Sequence, residues 1–61
     1  MKVLDMGIDE REKIIDKINK QIKVLEMSGC VIDDIGIGDV VINMELFATG
    51  YIVYHEIDYW G

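Results

Sequence analysis

The sequence predicts an α+β domain in which one amphipathic helix packs on a three-stranded antiparallel sheet. Three observations support this class: a helical stripe of isoleucine and leucine in the first half, β-rich runs in the second half, and glycines between those runs. The helix is expected at residues 9–28 and the strands at residues 30–35, 39–47 and 51–60. A chain of 61 residues allows one domain, which we take to span residues 1–61.

The helix is predicted from its caps and its periodicity. Asp9 is a good N-cap residue, and Glu12 three positions later gives a capping-box-like pairing. Gly29 is a natural residue to follow the helix. Apolar residues recur between these ends at spacings of three and four, and so form one stripe: Ile14, Ile15, Ile18, Ile22 and Leu25. Before the helix, residues 2–5 alternate only weakly and fit either a short edge strand or an irregular lead-in.

The last two strands are predicted to form a hairpin, because two β-rich runs flank residues 48–50, a short connection that ends in glycine. If Phe47 opposes Tyr51 across this turn, both faces of the hairpin carry several large apolar residues, and the helix can cover only one of them. The other face would expose a larger patch than soluble monomers usually show. We therefore expect an interface there, formed with a second copy (a dimer is favoured) or with another protein. Its residues would be Val41, Phe47, Tyr51, Val53, Ile57 and Tyr59.

The net charge of −6 lies in the C-terminal half of the chain. All Lys and Arg residues fall within residues 1–23, whereas residues 29–61 contain only acids as charged residues: Asp33, Asp34, Asp39, Glu45, Glu56 and Asp58. Such a half should repel nucleic acid, whose binding depends on Lys and Arg displacing counterions. It should instead attract a protein partner with a basic surface.

No catalytic, metal or cofactor signature is present. His55 has no nucleophile spaced around it and is interpreted as a surface or interface histidine bonded to a neighbour. Cys30 follows the helix and is interpreted as a structural thiol, since reactive cysteines favour helix N-termini. The carboxylates around residues 36–38 match no calcium loop. We expect a protein that is not an enzyme and needs no cofactor.

The cytoplasm is the expected location. No apolar run approaches the roughly 20 residues of a membrane-spanning helix. Val3 and Leu4 are followed at once by Asp5, which does not fit the apolar region of a signal peptide. A single cysteine suits a reducing compartment.

Two functions agree with these features. The first is a small acidic binding module that docks an acidic sheet onto a basic protein surface. It is analogous in size and charge to inhibitors of nucleic-acid enzymes encoded by phages and other mobile elements. The six acids would steer the encounter, and Tyr51, Tyr59 and Trp60 would anchor it. The alternative is a non-enzymatic structural or assembly subunit whose apolar sheet face forms a homodimer or a larger oligomer.

Overall fold

A computed structural model of the protein describes residues 1–57. Four elements follow one another along the chain: β1 (Lys2–Asp9), α1 (Arg11–Met27), β2 (Cys30–Ile42) and β3 (Glu45–Glu56). The strands form one antiparallel sheet in the order β1-β3-β2, and α1 packs against one face of it. The predicted class, one helix on a three-stranded antiparallel sheet, is confirmed.

The helix matches its prediction except at its first turn. Its N-cap is Glu10, whose side chain makes no capping hydrogen bond. Asp9 instead ends β1, where it pairs with Ala48, and its Oδ1 accepts a hydrogen bond from the Glu10 N–H at 2.8 Å. The predicted Asp9 cap is therefore wrong, because that residue is held in the sheet. The C-terminal prediction is confirmed: Gly29 has φ +84°, and its N–H donates to the Glu26 carbonyl at 3.1 Å.

The N-terminal residues form a strand, as the first of the two predicted alternatives required. β1 is 8 residues long and lies at one edge of the sheet, paired with β3. Its register shifts between Asp5 and Ile8, and Gly7 within this bulge has φ +76°. Glycine adopts such a conformation at little steric cost.

The predicted hairpin turn at residues 48–50 is wrong. The turn is Asn43-Met44, which joins β2 to β3, and Ile42 pairs directly with Glu45. Asn43 and Met44 have φ of 50° and 66°, as the two-residue type I′ turn requires. The strand boundaries change accordingly. Residues 30–35 and 39–42 belong to one strand, residues 45–47 and 51–56 belong to another, and residues 58–60 lie outside the described part of the chain.

The glycines that suggested turns serve close packing. Gly50 lies in the middle of β3 beneath the helix, where a Cβ would be 2.8 Å from the Cγ2 of Ile14. Gly36 lies in the middle of β2 opposite Tyr51, and a Cβ there would overlap the tyrosine ring. A glycine needed for close approach cannot be told from a turn glycine by sequence alone.

A small core fills the space between α1 and the sheet. Its buried residues are Met6, Ile14, Ile18, Leu25, Ala48 and Ile52, with Leu4, Ile22, Cys30, Ile32 and Tyr54 packed around them. Of the predicted helical stripe, Ile15 lies at the margin and is exposed. The chain of 7.0 kDa exposes 4706 Å², compared with about 4,000 Å² for a typical monomer of that mass. Large apolar side chains are among the exposed residues, including Val3, Ile8 and Leu46.

The sheet extends beyond the helix. β1 ends at Asp9, opposite Ala48, whereas β2 and β3 continue to the turn. We call residues 40–47, the two-stranded extension, the arm. It makes the molecule long, at 52 × 17 × 12 Å, with a radius of gyration of 13.5 Å compared with about 10.5 Å for a compact chain of this length. Val41 and Leu46 pair on the arm and are 70% and 68% exposed.

Candidate functional site

One face of the sheet has no element packed over it within residues 1–57. Side chains alternate along β3, so Ala48, Gly50 and Ile52 lie buried against α1. The alternate residues of β3 face the other way: Glu45, Phe47, Thr49, Tyr51, Val53 and His55. We call the surface formed by these residues and their cross-strand neighbours the open face.

The neighbours on β1 and β2 follow from the register, because directly paired residues project from the same face of a sheet. β1 contributes Val3, Asp5 and Ile8, while β2 contributes Val31, Asp34, Gly36, Gly38, Val40 and Ile42. Val3 and Ile8 are more than half exposed. None of these residues is Lys or Arg. The open face therefore combines apolar side chains with carboxylates.

Tyr51 lies at the centre of this face, with a carboxylate on either side. Asp5 is its partner on β1, and the Asp5 Oδ1 accepts a hydrogen bond from the Gly7 N–H at 2.9 Å. On the other side Gly36 lies beneath the tyrosine ring. Asp34 is two residues further along the same strand. The centre is thus apolar, and each outer strand supplies an acid.

His55 is bonded to a neighbouring carboxylate, as predicted from the sequence. Its Nδ1 lies 2.7 Å from Oδ2 and 2.9 Å from Oδ1 of Asp33. Asp33 is the extra residue of a bulge between Ile32 and Asp34, and the bulge directs its side chain towards the histidine. Cys30 belongs to the opposite side of the sheet, with the helix core. The geometry brings no nucleophile to His55 from the described residues.

Two of the predicted acids are paired with bases instead. Asp39 accepts a hydrogen bond from the Arg11 guanidinium at 2.9 Å, and Glu56 accepts one from Lys2 at 2.8 Å. Glu45 adjoins the turn at the end of the arm. The acids therefore lie on both sides of the sheet and do not form one cluster. Asp58, Tyr59 and Trp60, also predicted to contact a partner, lie outside the described residues.

Two ion pairs connect β1 to β3 and to the helix. The hydrogen bond between Lys2 and Glu56 raises the pKa of the lysine and lowers the pKa of the carboxyl group. Asp9 has a lowered pKa, first because the Glu10 N–H donates to it and then because Lys17 lies 3.4 Å away. These contacts hold β1 between β3 and the start of the helix.

The predicted interface residues divide between the two faces. Phe47, Tyr51 and Val53 share the open face, as predicted. Val41 lies on the other face of the arm, because the true register pairs Ile42 with Glu45. Ile57 follows β3, and its N–H donates to the Gly29 carbonyl at 3.2 Å. Tyr59 lies outside the described residues.

Apolar residues of the open face on both outer strands were not predicted as interface residues. On β2 these are Val31, Val40 and Ile42, whose place on this face depends on the register with β3. On β1, Val3, Asp5 and Ile8 were missed, since the place of this strand in the sheet depends on pairing with β3, more than forty residues later. The weak alternation of the first residues was the only signal that could have found them.

Other kinds of site find little support among residues 1–57. A groove of about 250 Å³ between α1 and β1 is lined by Leu4, Asp5, Met6, Lys17, Lys20 and Gln21, a set without Ser, Thr, Cys or His. No group of three or more His, Cys, Asp or Glu residues in this range could hold a metal ion. The helix here lacks the length and apolarity needed to cross a membrane. The chain matches no protein-family model, no curated protein and no solved structure.

Proposed function

We propose that this protein is a non-enzymatic binding module that docks the open face of its sheet onto a protein with a basic surface. The observation that carries the proposal is the strip of Phe47, Tyr51 and Val53, with Asp5 and Asp34 on the two outer strands and no Lys or Arg among them. Protein interfaces are commonly built with an apolar centre and a polar rim. Tyrosine is also one of the residues that contribute most to binding energy.

The complementary partner has an apolar centre edged by Lys or Arg. The net charge of −6 would speed the encounter with such a surface. The lysines of α1 are on the other side of the sheet and would not oppose it. Proteins that bind nucleic acids, including the enzymes that act on them, carry basic surfaces of this kind. We therefore propose that the module occludes such a surface in the cytoplasm, as an inhibitor of the type encoded by phages and other mobile elements.

The alternative role, a structural subunit in which two open faces pack together, is less favoured. It would bring Asp5 and Asp34 of both copies into one interface, with no Lys or Arg on either open face to pair with them. Burying carboxylates without a base is costly. A basic partner removes that cost, whereas a second open face adds to it.

The test begins with affinity capture from lysate, in which proteins retained by wild type are compared with those retained by Tyr51→Glu. The association rate of the retained partner is then measured for Asp5→Asn/Asp34→Asn. A matched control, Asp16→Asn/Glu26→Gln, makes the same change in net charge on the exposed helix.

We expect the open-face variant to slow association roughly threefold to tenfold, and the control to change it far less. Wild-type association should also slow with added salt, since screening weakens steering between exposed charges. Equal effects of the two double variants, or association that is insensitive to salt, would contradict the proposal.

A further inference from the structure

The outer edge of β2 is the least protected feature of the sheet. Among residues 1–57, the strand order β1-β3-β2 leaves β2 at an edge, with 13 residues. Natural edge strands are usually blunted by Lys, Pro, bulges or short length. β2 contains no Lys, Arg or Pro, and its one bulge, at Asp33, lies near its start. β1, the other edge, has Lys2 and a bulge within 8 residues.

The turn determines which backbone groups of β2 point outwards. A type I′ turn places a hydrogen bond between the Ile42 carbonyl and the Glu45 N–H, so Ile42 bonds to β3. Every second residue of the regular ladder from Asp34 to Ile42 does the same. The alternate residues direct their N–H and C=O groups away from the sheet: Ile35, Ile37, Asp39 and Val41.

The same residues also carry exposed apolar side chains. They face the helix side of the sheet, yet α1 lies too far from them to cover them fully. Ile35 and Ile37 are 42% and 41% exposed, and Val41 is 70% exposed. The edge thus combines open hydrogen-bonding groups with an apolar stripe. Asp39, the acid within this stripe, is already paired with Arg11.

We infer that this edge pairs antiparallel with the same edge of a second copy, which joins the two sheets into one of six strands. The acids select the register in which Gly38 lies opposite Gly38 of the second copy. Ile35 then faces Val41, Ile37 faces Asp39, and Asp34 faces Ile42. Moving the two-fold axis one residue towards the turn sets Asp39 against Asp39, a destabilising pair of like charges. Moving it the other way brings the Asp33 bulge into the ladder.

This register uses every outward-pointing residue of the regular segment. Ile37 and Asp39 exchange two backbone hydrogen bonds on each side of the axis, and the Val41 N–H donates to the Ile35 carbonyl, about six bonds in total. The Ile35 N–H keeps its own hydrogen bond to the Asp34 Oδ1 at 2.9 Å. Ile35 of each copy packs against Val41 of the other, so this apolar contact occurs on both sides of the two-fold axis. A second copy is therefore the occupant that satisfies both the backbone edge and the apolar stripe.

The pairing is independent of the proposed function and compatible with it. A two-fold axis perpendicular to the sheet keeps both helices on one side and both open faces on the other. The dimer would present two open faces side by side. It differs from the face-to-face dimer considered above, in which the open faces are buried.

The test is a pair of substitutions at Ile37 in the full chain. Ile37→Glu sets a carboxylate opposite Asp39 of the second copy at two symmetric positions, whereas Ile37→Lys sets an ammonium group there. Both remove the same side chain from the helix margin, so their cost to folding is similar. By sedimentation equilibrium we expect wild type and Ile37→Lys to dimerise, and Ile37→Glu to have a dissociation constant at least about tenfold higher than Ile37→Lys.

Amide hydrogen exchange of wild type gives a second readout, with circular dichroism to verify that the variants are folded. We expect the amides of Ile37, Asp39 and Val41 to gain protection as protein concentration rises, whereas the Ile35 amide is already bonded to Asp34. Those of Gly36, Gly38 and Val40 bond to β3 and should be protected at every concentration. The inference is overturned by a monomer mass at about 100 µM, by a dimer without this alternation, or by equal dissociation constants for the two variants.

Discussion

Gly50 of β3 lies directly beneath Ile14 of α1, and a Cβ on Gly50 would be 2.8 Å from the isoleucine Cγ2. The same Cβ would lie 2.9 Å from the Cδ1 of Ile18, and both isoleucines are buried. The helix can therefore rest on the central strand only because residue 50 has no side chain. This contact sets the position of the helix and, with it, the face of the sheet that is left open.

The first prediction is that Gly50→Ala destabilises the fold by about 1–3 kcal/mol, the usual cost of overpacking a core. The free energy of unfolding from urea denaturation provides the measurement. Gly38→Ala is the matched control, since its Cβ would meet only the Thr49 Cγ2 at 3.5 Å, an ordinary contact. Its effect should stay within about 0.5 kcal/mol at low protein concentration. Equal losses for the two variants would show that Gly50 has no special packing role.

The second prediction concerns the turn. Met44 has φ 66° and is 98% exposed, so it accepts a left-handed conformation and gains almost no packing in return. A left-handed conformation costs a non-glycine residue roughly 1–2 kcal/mol. Glycine avoids this strain, but it loses more conformational entropy on folding, which offsets part of the gain. Met44→Gly should therefore stabilise the protein by about 0.5–1 kcal/mol in the same assay. Asn43→Gly should gain less, because asparagine tolerates this region. A loss of stability in Met44→Gly would argue against the type I′ turn.

The third prediction is a pH dependence from Lys2 and Glu56. The pKa of Glu56 is lowered on folding, so its contribution is present above its ordinary value of 4.5 and is lost as pH falls through the folded-state pKa. The pKa of Lys2 is raised, so its contribution is present below 10.5 and is lost as pH rises through the folded-state pKa. The pair therefore stabilises the fold across the middle of the pH range.

The measurement is the urea midpoint from about pH 2 to about pH 11 for wild type and Glu56→Gln. The difference between them should be level in the middle and should shrink as pH falls below about 4.5 and as it rises above about 10.5. Lys2→Met and the double variant should give the same profile as Glu56→Gln, since each removes the same pair. A difference that persists at acidic pH would show that the carboxylate is not the stabilising group.

The helix could be predicted because the residues that indicate it lie within one short stretch of the sequence. The spacing of Ile14, Ile18, Ile22 and Leu25 marks a buried stripe within one element, and Gly29 marks its end. The first turn was not predictable, since Asp9 has the properties of a cap and also lies in a strand. Its choice between the two is decided by pairing with Ala48, a residue far along the chain.

Residues were placed on the correct face of the sheet where alternation along one strand is enough to place them. They were missed where their face depends on the register between two strands. Phe47, Tyr51 and Val53 belong to β3, so alternation places them on one face whatever their partners are. Val41 belongs to β2, and a turn at residues 43–44 instead of 48–50 moves it to the opposite face. The place of Asp5 on the open face could not be predicted, because it depends on the pairing of β1 with β3.

The sequence by itself determined the class of the fold, the amphipathic helix and the acidic character of the C-terminal half, because periodicity and charge are properties of short stretches. Only the tertiary structure decided the strand order, the register and the edge that is left unpaired, since these depend on contacts between distant segments. Gly50 shows the reason most clearly. The same glycine would permit a turn or the close approach of a helix, and only Ile14 and Ile18 above it decide which.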